Sequence, residues 1–139
     1  MDVLEIPFNK FLGLKRSEKE EYLLTTEDRT EYKNHVGTSH ASLMFALAEA
    51  SGGEFLLNKF EKYDLNIIPV VRKVDVKFSK PGNGKLFSKA SFFPGEEKDI
   101  ISELKARKRV IIKIKVELLS EKEEKLMTSI FDWFITVKE

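Results

Sequence analysis

The run ASLMFALAEA, Ala41 to Ala50, most constrains what this chain can fold into. Alanine, leucine, methionine and phenylalanine fill every turn of a helical pattern, so the helix they form is buried on most of its sides. One residue breaks the pattern. Glu49 is a carboxylate that loses hydration in such a setting unless something pairs with it or uses it. An ion pair with a buried lysine, a hydrogen bond at a seam between subunits, and catalysis all satisfy that requirement, and the pattern leaves the three open.

The rest of the chain reads as a wrapping for this helix. Residues 4 to 12, LEIPFNKFL, suit a short amphipathic helix after Pro7, with Phe8, Phe11 and Leu12 toward the core. EYLLTTED, residues 21 to 28, reads as the first strand. Thr38 or Ser39 supplies a hydroxyl cap for the central helix, and Gly52-Gly53 marks its expected end. Residues 54 to 67 fit a short helix or a loop.

Beyond Pro69, Val74, Val76 and Phe78 alternate with Lys73, Asp75 and Lys77, the two-residue period of a strand. PGNG at 81 to 84 is a turn, and LFSKASFF returns as the next strand. A short helix fits within 99 to 109. RVIIKIKVELL then places Ile112, Ile114, Val116 and Leu118 on one face, SEKEEK turns the chain, and LMTSIFDWFITV closes it with both faces apolar, as for a central or interface strand. The order is strand, long buried helix, then about four antiparallel strands, an α+β arrangement in which one curved sheet encloses one helix.

Composition excludes several classes of function. The 139 residues suit one domain spanning 1–139. Twenty-four basic residues against 23 acidic ones leave a net charge of +1, so no overall field favours nucleic acid. Cysteine is absent, which removes disulfides and thiol catalysis, and two histidines with no cysteine form no recognisable metal set. MDVLEIPFNKFLGLKR lacks the basic start and apolar core of a signal peptide, and no apolar run approaches a membrane span. A cytoplasmic protein with no membrane association is expected.

NHVGTSHASLMFALAE, residues 34 to 49, resembles the motif of the hotdog-fold thioesterases, especially their phenylacetyl-CoA thioesterase-like branch. IPFNKFLGLK is similar to that family's N-terminal helix, and VDVKFSKPGNGKLFSKASF to its second and third strands with the proline between them. The resemblance covers nearly the whole chain. It implies a hotdog fold, a homodimer or a dimer of dimers, and hydrolysis of an acyl-CoA thioester to a carboxylic acid and free coenzyme A. No cofactor is needed, since coenzyme A is part of the substrate.

By that resemblance Glu49 is the helix carboxylate, acting as general base or nucleophile. Asn34 orients the water or the carboxylate, His40 steadies the motif loop, and the Ala41 N–H polarises the thioester carbonyl. Two departures stand out: Ser42 replaces a common glycine, and Val71 falls where some members carry a hydroxyl. They keep a non-catalytic acyl-CoA or lipid-binding hotdog protein as the alternative. Lys80, and Arg107, Lys108 and Arg109 in KARKR, are candidates for the coenzyme A phosphates; solvated surface is the rival reading for both groups. On one helix, nine residues at 1.5 Å each separate His40 from Glu49 by roughly 13 Å. A joint site therefore requires Glu49 of one chain to face Asn34, His40 and Ala41 of another.

Overall fold

In the computed structural model, which describes residues 1–95 and 99–138, the apolar run lies in helix α2, Ala41–Glu61. Leu43, Met44, Leu47, Ala48 and Leu56 are buried along it, as the pattern requires. The helix does not stop at Gly52-Gly53; it continues through most of the segment that fitted helix or loop. Those glycines serve close approach rather than termination. A Cβ on Gly52 would lie 3.0 Å from Trp133 Nε1, and one on Gly53 would lie 3.4 Å from Val3 Cγ1.

The helix start also differs from expectation. Neither Thr38 nor Ser39 caps it. His40 is the cap residue, and its Nδ1 accepts from the Ser42 N–H at 2.9 Å. The Thr38 hydroxyl instead bonds Asn34, and the Ser39 N–H donates to the Gly82 carbonyl at 2.8 Å. The latter bond docks the PGNG turn onto the approach to α2.

Six strands form one antiparallel sheet in the order β1–β2–β4–β5–β6–β3. They are β1 Lys15–Arg16, β2 Leu24–Thr25, β3 Ile67–Phe78, β4 Phe87–Phe92, β5 Arg109–Leu119 and β6 Lys125–Val137. Two further helices, α1 Pro7–Leu12 and α3 Ile100–Arg107, flank it. The inner face of β5 (Ile112, Ile114, Val116, Leu118) and of β6 (Met127, Phe131, Trp133, Ile135) encloses α2 in one apolar core. This is the hotdog fold. The last strand lies inside the sheet, between β5 and β3, with its inner face buried and its outer face half-buried.

The expected first strand shrinks to two residues, because side-chain hydroxyls interrupt its ladder. Leu24 N donates to Ser88 Oγ at 3.0 Å, and Thr26 Oγ1 accepts from Leu86 N at 3.3 Å. Helix α1 forms, but Phe8 and Phe11 face outward with 60% and 79% of their surface exposed, and Leu12 is half-buried. Asn9 takes the inward position, donating from Nδ2 to the Val3 carbonyl at 2.9 Å. Six residues give this helix a single inward turn, and the Val3 carbonyl claims it. Among the described residues, no helix is long and apolar enough to cross a membrane.

Two features of β3 position the site. It is an edge strand, hydrogen-bonded only to β6, so its outer edge is open to another strand. Its pairing also shifts register between Val71 and Lys73, leaving Arg72 as the extra residue of a bulge.

Candidate active site

Helix α2 carries two acids along its enclosed stretch, Glu49 and Glu54. Glu54, 6% exposed, is the acid with a structural partner: its Oε2 accepts from Arg16 Nε at 2.7 Å and its Oε1 from Arg16 Nη2 at 3.2 Å. The same guanidinium holds Asp2 at 2.9 Å and so ties the N-terminal segment to α2. Asp2's carboxyl is lowered from its ordinary value, chiefly by the Arg16 hydrogen bond. In the sequence Glu54 shows only as a second acid five residues after Glu49, beyond the apolar run that makes Glu49 conspicuous.

Glu49 has no such partner. Among the described residues it makes no hydrogen bond and no ion pair. It is half-buried, and burial alone raises its carboxyl above the ordinary glutamate value. It lines a cavity of about 240 Å³ with Ala50, Gly53, Leu57, Val70, Val71 and Trp133. Met1, Val3, Ile6, Asn9 and Pro69 complete the wall. An unpaired carboxylate in a mostly apolar cavity can accept a proton, and among the described residues no lysine pairs with Glu49. Beside it, Trp133 Nε1 is a buried donor with no partner among the described residues.

A second cavity, about 330 Å³, lies at the start of α2 and the far end of β3. It is lined by Asn34, Thr38, Ser39, Ala41, Met44, Phe78, Ser79, Lys80 and Pro81. Here the loop before α2 is built by Asn34, whose Oδ1 accepts from the N–H of Val36 and of Thr38, each at 3.0 Å. Its Nδ2 donates to Thr38 Oγ1 at 2.9 Å, so one amide hydrogen stays uncommitted. Gly37 closes the turn at φ +82°, donating to the Asn34 carbonyl at 3.1 Å. The Ala41 N–H opens the 21-residue helix and donates to no described residue, so it presents a free donor at the positive end of the helix dipole.

The structure thus brings Asn34, Ala41 and Lys80 to one cavity and places Glu49 in another of the same chain. Lys80 also reaches Glu124 at 3.3 Å, an exposed pair. His40 lines neither cavity. Its Nδ1 accepts from the Ser42 N–H, which leaves its proton on Nε2 and fits a role in holding the loop. Arg107 and Arg109 line a third groove, and Lys108 between them is the cap of α3 in a left-handed conformation, φ +62°. No group of three or more potential metal ligands occurs among the described residues.

The family model described as a domain of unknown function (DUF4442) matches residues 14–135. No curated protein matches the chain. Among solved structures, the chain is similar to a Pseudomonas aeruginosa protein of unknown function described as a "Probable Thioesterase". That match has 24% identity and a TM-score of 0.78, covering 98% of this chain and 91% of that one. It is also similar to a thioesterase of Haemophilus influenzae, with 15% identity, TM-score 0.73, and coverage of 97% and 86%. A Bacillus halodurans protein crystallised with CoA matches at 12% identity, TM-score 0.69, covering 92% of this chain and 74% of that one. These likenesses show a shared fold.

Proposed function

We propose that this chain, which belongs to the DUF4442 family, hydrolyses an acyl-CoA thioester to a carboxylic acid and free coenzyme A, working as a homodimer. The observation that carries the reading is Glu49, an unpaired carboxylate with its proton affinity raised, in an apolar cavity. The CoA bound by the Bacillus halodurans protein and the thioesterase of Haemophilus influenzae support it through the shared fold.

The open edge of β3 supports the dimer and gives it a geometry. Two antiparallel copies of the strand, related by a two-fold axis near its middle, would bring Val70 of one chain alongside the partner's Phe78. Val70 borders the Glu49 cavity, and Phe78 borders the Asn34–Ala41 cavity. The pairing joins the two half-sites across the seam, twice per dimer. This removes the separation that one helix imposes between the acid and the N–H donor.

In the joined site Glu49 takes a proton from water while the water oxygen bonds to the thioester carbonyl carbon. The carbonyl electron pair moves onto oxygen, where the Ala41 N–H stabilises it at the helix start. The remaining Asn34 amide hydrogen steadies the carbonyl or the water. When the intermediate collapses, the carbon–sulfur bond breaks, and the departing thiolate of coenzyme A takes the proton that Glu49 holds, which restores the carboxylate. Lys80, which lines the Ala41 cavity, would meet a phosphate of coenzyme A.

Thiol release from short aliphatic, aromatic and long-chain acyl-CoA substrates tests the reading, with wild type beside Glu49→Ala at matched fold and oligomeric state. Turnover lost in the variant is the expected result. Wild-type binding of acyl-CoA with no thiol release would refute hydrolysis and leave the non-catalytic acyl-CoA or lipid-binding protein.

A further inference from the structure

Three arginines from two parts of the sequence converge on the outer face of the sheet, in a groove that shares no lining residue with either half-site. Arg72, Arg107 and Arg109 line a groove of about 470 Å³ with Glu103, Val110, Ile111 and Phe134. Among the described residues none of the three is in an ion pair. Glu103 is the one acid among the residues lining the groove, so the three guanidinium groups leave a net positive charge there that a bound anion would relieve.

Local backbone features aim these side chains. Arg72 is the extra residue of the β3 bulge, and a bulge redirects the side chain it carries. The redirected guanidinium lies 5.8 Å from the centroid of the Phe134 ring. The left-handed Lys108 turns the chain sharply from α3 into β5, so that Arg107 and Arg109 on either side of it share the groove. Ile111, half-exposed and cross-strand from Phe134, extends the apolar floor.

Phe134 is therefore the half-buried ring over which the Arg72 guanidinium rests, and the three guanidinium groups can match phosphate oxygens in pairs. The geometry points to a binding site on this outer face for the phosphate groups of a nucleotide, held by Arg72, Arg107 and Arg109. That chemistry is carried both by the nucleotide end of coenzyme A and by a free nucleotide.

Calorimetric titration of the full chain with adenosine 3′,5′-bisphosphate, ATP, CoA and inorganic pyrophosphate tests this site without recourse to turnover, so it stands or falls apart from hydrolysis. Wild type should bind at least one nucleotide saturably, more weakly as salt rises. Arg72→Gln and Arg109→Gln should each weaken that binding about tenfold or more, with melting temperatures unchanged. Phe134→Leu, which removes the ring under the Arg72 guanidinium, should weaken nucleotide and pyrophosphate binding alike, whereas Lys122→Gln in the β5–β6 turn should change neither. CoA and bisphosphate weakened together assign the groove to the nucleotide end of coenzyme A; ATP weakened with CoA unaffected assigns it to a free nucleotide. No saturable binding, affinity indifferent to both arginine substitutions, or binding of single-stranded RNA alone would overturn the proposal.

Discussion

Adjacent glycines on α2 offer a controlled test of how tightly Trp133 is wedged. Gly52→Ala and Gly53→Ala bring the same gain in helix propensity, about 0.5–1 kcal/mol for replacing a mid-helix glycine. Their surroundings differ. At Gly53 the new methyl meets Val3 Cγ1 at 3.4 Å and Trp133 Cη2 at 3.8 Å, ordinary contacts that leave the gain intact. At Gly52 it meets Trp133 Nε1 at 3.0 Å, Cζ2 at 3.1 Å and Cε2 at 3.3 Å, so the indole has to move. Cross-strand Val71 and Ile112, and Phe131 with its ring 6.1 Å away, leave the indole little room. Overpacking of this kind costs about 1–3 kcal/mol, for a net loss near 1 kcal/mol. Gly53→Ala should thus raise the melting temperature and Gly52→Ala lower it, each by about 4 °C per kcal/mol for a chain of this size. Circular dichroism melts at one fixed protein concentration provide the readout, since association shifts apparent stability. The fluorescence of the single tryptophan should change only in Gly52→Ala. Equal stabilisation by both substitutions would refute the wedged indole and the explanation of why glycines occupy the middle of α2.

Glu49→Gln should reduce thiol release by about 10²–10⁴, and the acid limb of the wild-type pH–rate profile should lie above the ordinary glutamate range. Because burial raises the Glu49 carboxyl in the folded state, folding takes up a proton. Its unfavourable contribution to stability is absent below the unfolded value and grows until pH passes the folded one. The glutamine variant should therefore melt higher than wild type at neutral pH and converge with it in acid. Arg16→Ala strands the buried Glu54 carboxylate and should cost about 1–2 kcal/mol, moderated because Arg16 is half-exposed; Glu54→Gln in the same chain should recover part of it in urea denaturation. Asn34→Ala removes an acceptor shared by two backbone N–H groups and should lower both stability, by about 1–2 kcal/mol, and thiol release. Asn34→Asp keeps the acceptor and should lose less of each.

The chain's own residue pattern determined the α+β architecture, because a helix apolar on all sides is stable only when enclosed and the two-residue alternation of β3 and β5 supplies the enclosure. It also marked Glu49, since an acid in an apolar run is conspicuous without coordinates. What it left undetermined depends on distance between residues far apart in sequence. Gly52-Gly53 reads locally as a stop, and only the indole of Trp133 lying against it shows why α2 continues. Phe8 and Phe11 read as core, yet Asn9 faces inward because a nearby carbonyl needs a donor. Glu54 and Glu49 look alike in sequence; Arg16, 38 residues away from Glu54, separates a structural acid from an unpaired one. The same holds for Arg72, whose place beside Arg107 and Arg109 follows from a bulge and a strand order that no local window contains. Secondary structure follows from nearest neighbours along the chain, whereas the partner of a charge is chosen by tertiary packing.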